Sequence, residues 1–173
     1  MRILGVDPGY AIAGYGVVDA DAGKVNSVTF GAVTTPSHTL FEDRLCEIYE
    51  DFTALLKEFR PDAMAIETLF HANNQKTVIA VAEARGVILL AARQKGVPIF
   101  EYSPLQVKQS VTGYGKATKK QIQEMTARLL CLSNIPKPDD AADALAVAVC
   151  HAHSSRSAQF GRRQTKRKQM GYF

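Results

Sequence analysis

The chain holds 173 residues, 46% of them apolar and 22% charged, enough for one domain with a sizeable core and ordinary for a globular protein. No stretch approaches the roughly 20 apolar residues that span a bilayer, and Asp7 interrupts the first apolar run too early for a secretory signal. A cytoplasmic protein is expected. Cys46, Cys131 and Cys150 are odd in number and widely spaced, which suits neither a disulfide framework nor a zinc site, so buried free thiols are expected.

The net charge of +4 conceals a polarity. Residues 1–67 carry a net of −6, residues 68–155 a net of +4, and residues 156–173 hold six basic residues and no acid. A basic half beside an acidic half points to a polyanionic partner, against the plainer reading of charge as solvation.

In chain order, Ile3–Asp7 is a short apolar run closed by Asp7-Pro8-Gly9, and reads as a buried strand entering a turn. Gly14–Asp19 and Val25–Thr34 read as a hairpin around the Asp- and Gly-bearing turn between them. From Leu40 to Phe59 the apolar residues Leu45, Ile48, Phe52, Leu55, Leu56 and Phe59 recur at helical steps, and Pro61 follows. Ala63–Glu67 is another buried strand, ending on a carboxylate.

A long helix is expected over residues 74–95, a strand over Val97–Tyr102 and a short helix over Pro104–Val111. A loop through Gly113-Tyr114-Gly115 leads to a helix over Thr118–Leu132, with Thr118 as N-cap. Pro136 and Pro138 introduce a last helix from about Asp139 to His151. The expected layout is an α/β mixed sheet covered by helices over residues 1–155, with a basic, disordered tail over 156–173.

Four carboxylates stand out by position. Asp7 and Glu67 each close a strand, where open α/β sheets bind ligands. Asp140 and Asp143, three residues apart in an alanine-rich helix start, project from one face. Singly, each has a plainer explanation: Asp7 as a turn residue, Glu67 as a strand-end charge, Asp140 as a carboxylate near a helix N-terminus. Together, carboxylates with little basic company repel one another unless cations bind them. All-oxygen donors select Mg²⁺ or Mn²⁺, and two such ions can promote phosphodiester hydrolysis.

Gly5-Val6-Asp7-Pro8-Gly9, Ala65-Ile66-Glu67-Thr68-Leu69-Phe70 and Asp140-Ala141-Ala142-Asp143-Ala144-Leu145 resemble RuvC-type Holliday-junction resolvases. Glu83-Ala84-Arg85-Gly86-Val87, Gln106-Val107-Lys108-Gln109 and the Gly113–Gly115 loop match that family in order and spacing, so the resemblance covers about residues 1–153. It implies a ribonuclease-H-like fold with a five-stranded mixed sheet, and a homodimer that nicks opposed strands of a four-way DNA junction in recombination and repair. It further implies partnership with RuvA and RuvB. Asp7, Glu67, Asp140 and Asp143 carry over as the catalytic, metal-binding quartet, with Mg²⁺ as cofactor, Mn²⁺ as substitute and two ions per subunit. Lys108 and Lys119 match basic positions near the DNA, and Phe70 an aromatic that engages junction bases. His71, Asn73 and Asn74 have no role carried over.

Between residues 103 and 137 six bases face only Glu124, the pattern a phosphate backbone requires. Lys120 joins Lys108 and Lys119 as a DNA-binding candidate, although exposed helix lysines are commonly only solvated. The polar run after Phe70 favours an exposed stacking ring over a core aromatic. His151 and His153 read as surface residues at a helix end. The helix over 74–95, with Val78, Val81, Ala82 and Leu89, is the expected dimer face.

An actin-like or sugar-kinase-like ATPase also opens with a strand, an Asp and a Gly turn, but needs two such domains. A non-catalytic binding module would have lost carboxylates, and none is lost. A ribonuclease-H-like nuclease acting on an RNA–DNA hybrid or a ribosomal RNA precursor shares the fold. The Lys108 block and Phe70 favour junction DNA over it.

Overall fold

A computed structural model of the protein describes residues 1–69 and 75–159. Its elements run β1 (Arg2–Asp7), β2 (Ile12–Asp21), β3 (Lys24–Thr34), α1 (Phe41–Phe59), β4 (Ala63–Glu67), α2 (Gln75–Gln94), β5 (Ile99–Tyr102), α3 (Pro104–Thr112), α4 (Lys119–Leu129) and α5 (Asp139–Gln159). The five strands form one sheet in the order β3-β2-β1-β4-β5. β1 to β3 pair antiparallel through tight connections, while β4 joins β1 and β5 joins β4 in parallel after helical crossovers. Ala22 and Gly23, both at positive φ, make the β2–β3 turn.

Strand alternation sorts the side chains into two layers. Leu4, Val6, Val17, Met64 and Ile66 face α1 and α2, where Ile48, Phe52, Leu56, Ala84 and Ile88 cover them. Ile3, Val18 and Ala65 face the other way, against Val107 and Val111 of α3, Ile122 of α4 and the alanine-rich α5. Two residues beyond Gly5 and Ala65, Asp7 and Glu67 share this second face.

Glycines let α5 lie directly on the sheet. A Cβ at Gly14 would stand 2.0 Å from the Asp140 carbonyl oxygen, and one at Gly5 would stand 2.1 Å from that of Ala144. Both obstacles are backbone, so α5 would have to move as a unit. Gly14→Ala should therefore destabilise the fold by on the order of 3 kcal/mol and displace Asp140. Urea titration checks the first effect, and unchanged stability would show that α5 does not lie this close.

Local sequence sets the helix ends. Ser103 and Thr118 each make a capping box, with Gln106 and Gln121, at the starts of α3 and α4. Gly113 closes α3 in the left-handed region, and Arg60, not Pro61, does so for α1. The last helix runs through Gln159, two turns beyond the expected His151, and past the boundary at 155. Residues 160–173, most of the expected tail, lie outside the described part of the chain.

Two expectations fail here. Only Cys150 is buried, while Cys46 and Cys131 are exposed. His151 is not a surface residue: it is buried in α5, with Nδ1 2.7 Å from the Tyr102 hydroxyl and its ring against Phe100. Burial lowers its pKa to about 4, so the imidazole is neutral and shares one hydrogen bond with the Tyr102 hydroxyl.

Candidate active site

β1 and β4 run in parallel with Val6 opposite Ile66, so the next residues, Asp7 and Glu67, end side by side. Asp7 also pairs with Gly14, and the missing side chain of Gly14 admits the backbone of Asp140. One turn further along α5, Asp143 lies near Glu67. The structure thus gathers all four carboxylates, which are distant in sequence, at one edge of the α5 layer.

Their electrostatics follow from this proximity. Burial first, then the charges of Glu67, Asp143 and Asp140, push Asp7 up to about 8. Burial and Asp143 raise Glu67 to about 7, with Lys108 and Lys119 opposing. Asp143 is raised by burial against the pull of Lys119. Burial and mutual repulsion thus favour the protonated form of these carboxyls, and a bound cation would favour the charged form.

Lys119, the first residue of α4, places its ammonium 2.9 Å from Asp143 and 4.0 Å from Asp139. Lys137 also pairs with Asp139, at 2.9 Å, so Asp139 is engaged with lysines at the rim. Glu67, Lys108, Lys119 and Asp143 line a cleft with Pro104, Val107, Ile122 and Ala146. Asp7 and Asp140 sit beside it without lining it. Lys120 is 82% exposed and pairs with Glu124 on its own helix, so the structure does not bring it to the cleft. Phe70, His71, Asn73 and Asn74 lie outside the described residues.

The donor set fits a hard divalent ion, because its donors are partly buried carboxyl oxygens and, among the described residues, Lys119 is the one cation bonded to any of the four. Among the described residues, however, no three acidic side chains are drawn together tightly enough to hold an ion. Mutual pKa shifts reach farther than coordination does, so the two observations are compatible. The carboxylates are neighbours that a cation would have to draw inward, in competition with Lys119 for Asp143.

Sequence reasoning missed Arg85 as a part of this site. From α2 its Nε donates to the Glu67 carbonyl at 3.3 Å, and its Nη2 reaches Glu101 Oε2 at 2.6 Å. The family resemblance over residues 83–87 marked the position, but no local spacing signals its partners.

The family model described as crossover junction endodeoxyribonuclease RuvC matches residues 3–151. The chain belongs to the RuvC family. Relatives named crossover junction endodeoxyribonuclease RuvC include that of Syntrophomonas wolfei, 52% identical over 92% of this chain and 93% of its own length. That of Thermotoga petrophila is 54% identical over 91% of this chain and 95% of its own. Among solved structures, Thermus thermophilus RuvC in complex with Holliday junction substrate is similar at a TM-score of 0.84 and 33% identity, covering 91% of this chain and 96% of that one. The yeast mitochondrial Holliday junction resolvase Ydc2 shares the fold at a TM-score of 0.69 and 16% identity. The five-stranded ribonuclease-H-like α/β architecture is therefore that of the RuvC enzymes, as the motifs imply.

Proposed function

We propose that this RuvC-family chain resolves four-way DNA junctions by metal-dependent phosphodiester hydrolysis, with Asp7, Glu67, Asp140 and Asp143 as its catalytic residues. The observation that carries this reading is the gathering of four carboxylates at one place, beside a cleft that Glu67, Asp143, Lys108 and Lys119 line. The four side chains would hold the divalent ion or ions, Mg²⁺ with Mn²⁺ as substitute and two per subunit. When bound, these supply Lewis-acid charge to the phosphate and lower the pKa of water. Lys119 orients Asp143 and presents positive charge to the phosphate, and Lys108, which lines the same cleft from α3, adds to that charge.

The test is cleavage of a four-way junction, a linear duplex and an RNA–DNA hybrid, each with Mg²⁺ and with EDTA. Cutting of the junction alone, abolished by EDTA, supports the reading. Preference for the hybrid would favour the ribonuclease alternative instead.

One subunit carries one acidic cluster, so two opposed cuts require two subunits. α2 supplies a face for this. Ile79 is 61% exposed and Leu90 51%, and with exposed Ala82 and Gly86 they lie along one stripe of the helix. Among the described residues, nothing beyond the helix's own nearby backbone lies within 4 Å of where a Gly86 side chain would start, so a second helix could approach closely there. Val78, Val81 and Leu89, expected at this face, are half-buried instead. In a two-fold dimer each substitution acts twice. Leu90→Glu should leave a monomer in sedimentation and uncouple the two nicks on a cruciform plasmid. A stable dimer in that variant would move the interface elsewhere. Partnership with RuvA and RuvB, and a place in the cytoplasm, belong to the same proposal and are supported by membership of the family. No helix among the described residues is long and apolar enough to cross a membrane.

A further inference from the structure

The structure assigns to Arg85 the role of a positioning residue that holds the end of β4, and with it Glu67, in place for the metal. The inference rests on the metal-binding reading of Glu67. β4 ends at Glu67, where the chain leaves the sheet after one more backbone bond, Thr68 N–H to the Tyr102 carbonyl at 2.9 Å. The catalytic carboxylate thus sits where the ladder stops restraining the backbone. Arg85 acts at that point. Its Nε donates to the Glu67 carbonyl, and its Nη2 makes a 2.6 Å ion pair with Glu101 on the neighbouring strand β5.

One planar group therefore ties α2 to the ends of both β4 and β5. Its side chain is only 14% exposed, although that of Glu101 is 35% exposed, so the guanidinium is held among its neighbours while its carboxylate partner meets solvent. The contact is with the backbone and not with the reacting group. The charges that move the Glu67 carboxyl are Asp143, Lys108 and Lys119. Arg85 thus fixes where the carboxylate stands, while Lys108 and Lys119 set the field it stands in. Positioning matters more here than in a preformed ion cage, because the carboxylates are not yet gathered into one. A strand end free to drift raises the cost of drawing them together.

The experiment is a Mn²⁺ titration of the full chain without DNA, following free Mn²⁺ by electron paramagnetic resonance. Single-turnover cleavage is measured in parallel. Glu67→Gln serves as reference: if it leaves Mn²⁺ binding unchanged, the metal reading of Glu67 fails, and this inference with it. If Glu67→Gln weakens Mn²⁺, Arg85→Ala should raise the half-saturating concentration about 10-fold and slow cleavage, with junction affinity in EDTA unchanged. Arg85→Lys, which keeps the charge but not the fork, should recover only part of the affinity. Glu101→Gln should fall between wild type and Arg85→Ala. Wild-type Mn²⁺ binding in Arg85→Ala overturns the inference. If that variant does not fold, wild-type Mn²⁺ binding in both Arg85→Lys and Glu101→Gln overturns it equally.

Discussion

Asp7→Asn should reduce junction cleavage by on the order of 10³-fold or more while leaving the folded protein more stable than wild type without metal. Activity falls because an amide is a poor ligand for a hard cation. Stability rises because Asp7 is held at a pKa of about 8, chiefly by burial and secondly by Glu67. In an unfolded chain an aspartate titrates near 3.9. Between those two values the folded state binds more protons than the unfolded one, so folding stability declines as pH rises across that window. Glu67, raised to about 7, adds to the same decline over a narrower range.

Metal-free wild type should therefore melt at progressively lower temperature from pH 5 to pH 8. Asp7→Asn should flatten that slope, and added Mg²⁺ should reverse it, because cation binding favours the deprotonated cluster. Junction binding in EDTA should persist, since the proposed phosphate contacts come from lysines and not from Asp7. Differential scanning calorimetry at several pH values reads the stability, and single-turnover cleavage reads the activity. A variant that cuts at the wild-type rate, or a metal-free melting temperature that climbs between pH 5 and pH 8, would show the carboxylate to be neither ligand nor buried acid.

Lys119→Ala carries the second large effect. Its ammonium lies 2.9 Å from Asp143 in the cleft, so on the proposed reading the substitution removes both a phosphate contact and a constraint on a metal ligand. The lost contact should lower the slope of log affinity against log salt by about one. Cleavage should fall further, on the order of 10²-fold, because charge building on the scissile phosphate loses a fixed partner. Lys119→Arg should rescue only in part, since a planar guanidinium places its charge differently from a compact ammonium. Lys108→Ala, which alters the lining of the same cleft, should follow the same pattern. Lys120→Ala should alter the salt slope at most and leave the cutting rate intact, because that side chain pairs with Glu124 away from the cleft. Equal losses of affinity and rate in Lys119→Ala would make it a binding residue only.

How far these elements could be seen in the sequence depended on whether their cause is local. Asp7 and Glu67 end apolar runs bounded by Gly or Pro, so strand and carboxylate were both visible. The capping residues Ser103 and Thr118 and the turn at Ala22-Gly23 are likewise set by neighbours. α5 was underestimated because it is packed over most of its circumference, which leaves no amphipathic stripe to mark its length. Placing its end at His151 then made a buried, Tyr102-bonded histidine look like a surface residue. Gly14 gave no sign of its purpose, since the obstacle to its side chain is the Asp140 carbonyl, 126 positions away. Arg85 met Glu67 and Glu101 only through the tertiary packing of α2. Pairings of that kind have no period.

The most direct measurement is anomalous diffraction from crystals soaked in Mn²⁺. Density for Mn²⁺ should appear bounded by Asp7, Glu67, Asp140 and Asp143, with Asp143 drawn off the Lys119 ammonium and the carboxylates closer together than in the metal-free protein. Crystals that bind Mn²⁺ elsewhere, with the Lys119–Asp143 pair intact and no peak between Asp7 and Glu67, would contradict a metal-dependent nuclease centred on these four residues.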